Sequence, residues 1–149
     1  MTRQNQGLNL KDFLPYRLSI VTNRISASFA RLYSEKFNLS IPEWRVMAVL
    51  GQQPGLSADE VCSETEMDKV PVSRAVSKLL DKGLLRREFS GRDRRRSILC
   101  LSEAGYGMYA QIVPLALSYE AELKAVLTPR EQSQLEKLLD KLSLEGGRI

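Results

Sequence analysis

The sequence contains no histidine. That removes histidine-based nucleophilic triads and every metal site built on imidazole. It contains two cysteines, Cys62 and Cys100, with no CxxC pair. A zinc ribbon, a thioredoxin-like motif and a disulfide scaffold are thereby excluded. In a reducing compartment both cysteines read as small buried hydrophobes. No apolar run approaches the ~18–20 residues needed to cross a bilayer. The polar stretch from Met1 to Asn9 lacks the apolar segment of a signal peptide. The expectation is a cytoplasmic protein that does not meet a membrane. Nor is there a glycine-rich phosphate loop or a metal-ligand spacing. The acidic pairs Asp59/Glu60 and Glu64/Glu66 read as solvated faces. No catalytic residue, metal or cofactor is expected, and the chain does not read as an enzyme.

What is present is ordinary in bulk and informative in its placement. The chain has 149 residues, 43% of them hydrophobic and 27% charged, with a net charge of +4. That suits a single globular domain. Between Lys69 and Arg96 lie ten basic residues and three acidic ones, a net of +7, so the remainder of the chain carries −3. A basic block on a mildly acidic body suggests an element that binds a polyanion. The alternative is a merely solvated basic face.

The pattern along the chain orders the elements. Residues 1–9 read as an arm. Phe13, Leu14, Leu18, Val21, Ile25, Phe29, Leu32 and Tyr33 then recur at spacings of three and four. They predict a helix over 12–36 with Pro15 in its first turn. Its length implies that its apolar stripe packs on more than its own core. Ser40 and Glu43 form a predicted capping box for a second helix carrying Trp44, Val46, Met47, Val49 and Leu50. Ser57 and Glu60 form another, for a short helix with Val61 and Cys62 inward. Asp68 is the expected cap of a third helix over 69–82, stopped by Gly83. The period then shortens. Residues 84–89 and 96–101 read as two strands of a hairpin, with a charged turn over 90–95. Ser102 caps a long helix over 103–127, with Pro114 inside it. Thr128 and Glu131 cap a last helix running to about residue 144, with Leu135, Leu138, Leu139 and Leu142 on one face.

Three helices followed by a basic hairpin make a winged helix-turn-helix. The expected fold is mainly α with one small β-hairpin, the winged domain being flanked by long N- and C-terminal helices. The helix over 69–82 is the recognition helix. Val72, Ala75, Val76 and Leu79 form its core face. Its first turns offer Lys69, Pro71, Val72, Ser73 and Arg74, where helices of this kind touch base edges in the major groove. Arg74 suits a guanine edge, and Lys78 follows one turn later. Arg92, Asp93, Arg94, Arg95 and Arg96 form a tip suited to the negative potential of a narrow minor groove. Asp93 either holds Arg95 extended or is a plain turn residue.

These residues carry a resemblance. The stretch from Asp93 to Gly105 resembles the wing of the MarR family of bacterial transcriptional regulators. Asp93 and Arg95 fall on that family's Asp-x-Arg. Leu101, Ser102 and Gly105 fall on its Leu-(Thr/Ser)-x-x-Gly. Residues 68–83 look like its recognition helix, and Leu39 to Leu50, with Trp44, like its second helix. Arg96 departs from a position that is often small. The resemblance covers residues 10–144. It implies one domain over 1–149, with dimerisation helices at 10–37 and 103–145 and a DNA-binding lobe at 40–101. It further implies a homodimer on a pseudo-palindromic double-stranded operator, usually as a repressor released by a small aromatic or phenolic ligand. Arg17, Ser28, Trp44 and Arg45 are the ligand candidates; an arginine pairs well with an aromatic carboxylate. Three other readings stay open: a redox sensor acting through Cys62 or Cys100, a winged helix used for protein contact, and sequence-independent DNA binding.

Overall fold

The computed structural model describes residues 7–90 and 93–146, with backbone alone at Ser90 and from Asp93 to Arg96. A 3-10 turn at Leu10–Asp12 precedes α1 (Leu14–Phe37), α2 (Ile41–Gln52), α3 (Ala58–Thr65) and α4 (Lys69–Asp81). The strands β1 (Leu85–Ser90) and β2 (Asp93–Leu101) follow, then α5 (Glu103–Lys124) and α6 (Pro129–Gly146). The chain divides into two compact units, Met1–Ile112 and Val113–Ile149. None of the described helices is long and apolar enough to cross a membrane.

Local chemistry sets the helix ends. Pro15 stands in the first turn of α1, where its missing N–H costs nothing. Ser57 and Glu60 close a full capping box on α3, at 3.2 and 3.4 Å. Thr128 and Glu131 do the same at the start of α6, at 3.2 and 2.9 Å. Two expected caps are only partly realised. Ser40 Oγ accepts from the Glu43 N–H at 3.2 Å, but the Glu43 carboxylate turns away to Lys82 Nζ at 2.9 Å. Asp68 stands at the N-cap of α4 with no side-chain cap bond. Gly83 ends that helix at φ +72, a left-handed conformation that glycine adopts without strain.

The core of the first unit is built from α2, α3, α4 and the hairpin. Val46, Met47, Leu50, Val61, Val72, Leu79, Leu99 and Leu101 are essentially inaccessible to solvent. Tyr33 and Ile112 join them from α1 and α5. β1 and β2 pair antiparallel from Leu85↔Leu101 to Phe89↔Ser97, and a bulge then brings Ser90 opposite Asp93. The expected turn over 90–95 is thus too long, because the backbone of Asp93, Arg94 and Arg95 already belongs to β2. Leu56 adds a short third rung against Leu99: the Leu99 N–H donates to the Leu56 carbonyl at 2.7 Å, and the neighbouring Gly55 N–H donates to the Leu99 carbonyl at 3.1 Å. In the second unit α6 buries no residue, and Leu135, Leu138, Leu139 and Leu142 are each 44–57% exposed.

Candidate nucleic-acid interface

The recognition-helix candidate, α4, is divided lengthwise. Val72, Ala75, Val76 and Leu79 are buried. Lys69, Val70, Ser73, Arg74, Ser77, Lys78 and Asp81 are exposed, and Pro71 is half-buried. The spacing of four apolar residues produces this division, since positions three and four apart share a helix face. One expected contact fails. Val72 is only 1% exposed, so its side chain is spent on the core and does not reach a groove. Lys69 lies 3.9 Å from Asp59 of α3, a pair so exposed that it barely restrains either partner.

A cleft of about 390 Å³ separates α4 from α3 and β1; Cys62, Lys69, Ser73, Ser77 and Arg87 stand around a floor of Val72, Val76 and Leu80. Cys62 is half-buried there, whereas Cys100 is buried. The expectation of Cys62 inward holds only in part: it is half-buried and lines this cleft at the edge of the short α3. A smaller cleft of about 260 Å³ lies on the other flank, where Arg74 and Lys78 face Ser40 and Pro42 at the start of α2. Both clefts depend on packing between segments distant in sequence, so periodicity alone did not reveal them.

The hairpin is fastened to the helices behind it. Ser102 Oγ accepts from the Gly105 N–H at 3.0 Å and donates to the Gly83 carbonyl at 2.6 Å. A side chain at Gly105 would collide with the carbonyl oxygen of Leu84, which accounts for glycine at that place. On β1, Arg86 pairs with Glu88 at 3.1 Å. Of the tip residues, Arg92 lies outside the described residues. Asp93, Arg94, Arg95 and Arg96 are described in backbone only, along β2.

The ligand candidates separate. Trp44 on α2 packs against Phe29 and Tyr33 of α1, at ring distances of 6.0 and 5.7 Å, and stacks on Tyr109 of α5 at 6.2 Å. Gly51 makes room for the Tyr109 ring, whose hydroxyl accepts from Gln52 Nε2 at 2.7 Å. Arg45 donates to Ser26 Oγ at 3.2 Å. Burial pushes the Tyr33 hydroxyl above its ordinary range, and the positive charge of Arg45 opposes that shift. Trp44 and Arg45 therefore share one aromatic, cationic neighbourhood. Arg17 does not join it; it lies with Tyr16 and Arg24 along an open groove on α1. Ser28 is exposed on α1.

Comparison with known proteins agrees with this geometry. The family model of the MarR family matches residues 37–96. The transcriptional regulator HosA of Escherichia coli is 26% identical over 113 residues, covering 76% of this chain and 84% of that protein. A helix-turn-helix transcriptional repressor of Mycobacterium bovis is 26% identical over 131 residues, or 87% of this chain and 91% of that one. A MarR/EmrR-family regulator structure from Acinetobacter sp. ADP1 superposes with a TM-score of 0.86 at 25% identity, covering 95% of this chain and all of the other.

Proposed function

We propose that the chain is a DNA-binding transcriptional regulator of the MarR family, whose model matches residues 37–96, acting as a homodimeric, cytoplasmic repressor that a small aromatic acid releases from a pseudo-palindromic operator. The observation that carries the reading is the two-faced α4: an apolar face sunk in the core and a polar, basic face left to solvent. On this reading Lys69, Pro71, Ser73, Arg74 and Lys78 enter the major groove. Arg92, Asp93, Arg94, Arg95 and Arg96 follow the adjacent minor groove. Residues 40–101 form the DNA-binding lobe, and residues 10–37 and 103–145 the dimerisation helices.

Two observations support the finer parts. Leu14, Leu18 and Val21 of α1, like the leucines of α6, lie exposed as apolar stripes, which a second copy would cover. Beside Trp44 and Tyr33, the Arg45 guanidinium offers a counter-charge for an aromatic carboxylate. Cys62 is half-buried and Cys100 buried, so a redox reading rests on Cys62. If Cys62→Ser protein is released from DNA by oxidant as readily as the wild type, that reading is removed.

The test is binding to the DNA upstream of its own gene against a scrambled duplex, across a salt series. The native duplex should win by about 10³ or more, with a log–log salt slope of several units. Equal binding to both duplexes would favour a sequence-independent binder. Binding to neither would favour a protein-contact module.

A further inference from the structure

The C-terminal end of α4 is held from two directions at three consecutive residues. Lys82 Nζ lies 2.9 and 3.3 Å from the two carboxylate oxygens of Glu43, and donates to the Asn38 carbonyl at 2.6 Å. Asn38 ends α1, and Glu43 lies in the first turn of α2. Next, the Gly83 carbonyl accepts from Ser102 Oγ at 2.6 Å. The Leu84 carbonyl then accepts from the Ser102 N–H at 2.9 Å. Ser102 immediately precedes α5. The other end of α4 contrasts with this, having no side-chain cap from Asp68 and a loose, exposed Lys69–Asp59 pair.

The tie at Lys82 is chemically demanding. Glu43 is 3% exposed, and a carboxylate that far from water persists only with a partner. With Glu43 buried and the Lys82 side chain partly open to solvent, such an ion pair adds little net stability over an apolar pair of the same size. What it adds is direction, because the ammonium must satisfy an α2 carboxylate and an α1 carbonyl together.

We propose that Lys82–Gly83–Leu84 is the joint through which α1 and α5 set the pose of α4, with Lys82 and Glu43 as positioning residues for DNA binding. Neither residue belongs to the α4 face assigned to the groove. The inference rests on the reading of α4 as the DNA-contacting helix.

The experiment separates pose from stability. Lys82→Met should lower operator affinity at least tenfold with an unchanged salt slope, and Lys82→Arg should restore most of it. A salt slope reduced by about one would make Lys82 a phosphate contact and overturn the proposal. The double variant Glu43→Leu with Lys82→Met removes the uncompensated charge. It should regain thermal stability while affinity stays at least tenfold down. If affinity returns with stability, the pair is structural only. Hydrogen exchange without DNA gives an independent measure. In Lys82→Met, residues 37–44 and 79–84 should lose protection together, and loss confined to 79–84 overturns the joint. Should the wild type bind no duplex, the assignment of α4 to DNA fails, and the exchange result alone judges the joint.

Discussion

Tyr33 is a buried phenol beside a guanidinium, and its chemistry gives a pH prediction. Burial disfavours the phenolate more than Arg45 favours it, so the folded protein holds the proton more tightly than the unfolded chain does. A raised folded pKa means that this contribution is complete below the ordinary tyrosine range. It is lost as pH rises through the folded value. Thermal melts from neutral pH to beyond about pH 10 should show the wild type losing stability at the alkaline end faster than Tyr33→Phe. Parallel curves for the two proteins would contradict it. Glu43 teaches the complementary lesson about legibility. Its spacing from Ser40 matches a capping box as well as the Ser57–Glu60 and Thr128–Glu131 pairs do. Only the other two close, because Lys82, far along the chain, offers Glu43 a full opposite charge. Local spacing shows which groups can meet; it does not show a distant competitor.

At the scale of elements, helix positions were the most legible. The four apolar residues of α4 at spacings of three and four are the four that are buried. The same rule overturns Val72 as a base contact, since one side chain cannot serve both faces. The hairpin was less legible. A run of charges from Arg92 to Arg95 looks like a turn, yet the backbone from Asp93 onward belongs to β2, because the strand ladder is made by main-chain groups. On α4, experiment can separate two basic residues of the groove face, Arg74 as a contact to a base edge and Lys78, one turn later, as a contact to the phosphates lining the groove. Arg74→Ala should cost roughly 1–3 kcal/mol on the native operator and relax preference at one base pair. Lys78→Ala should weaken all duplexes alike and reduce the salt slope by about one. Competition assays against single-base operator variants distinguish the two, and identical profiles would refute the assignment.

For the whole molecule, the exposed leucines decide the next measurement. Leu135, Leu138, Leu139 and Leu142 lie along α6, and none is buried. A face so apolar is covered by a partner or becomes an aggregation liability. Sedimentation of the wild type should give a dimer at micromolar concentration. Replacing Leu138 and Leu139 by lysine should give monomers with weakened operator binding. A dimer that survives that change would move the interface elsewhere. The length of α1 already implies a stripe that packs on more than its own core, and the spacing of the α6 leucines places them on one face. The clefts beside α4 are not legible in this way, because they exist only once α3 and β1 have packed.

Trp44 is the one tryptophan in the chain, and rings from α1 and α5 enclose it. The molecule therefore carries a built-in optical label at the meeting of three helices. Its emission reports on that meeting alone, with no other indole to dilute the signal. A titration in a fluorimeter can thus follow events beside Arg45 in unmodified protein, and a stopped-flow trace can time them against release of DNA.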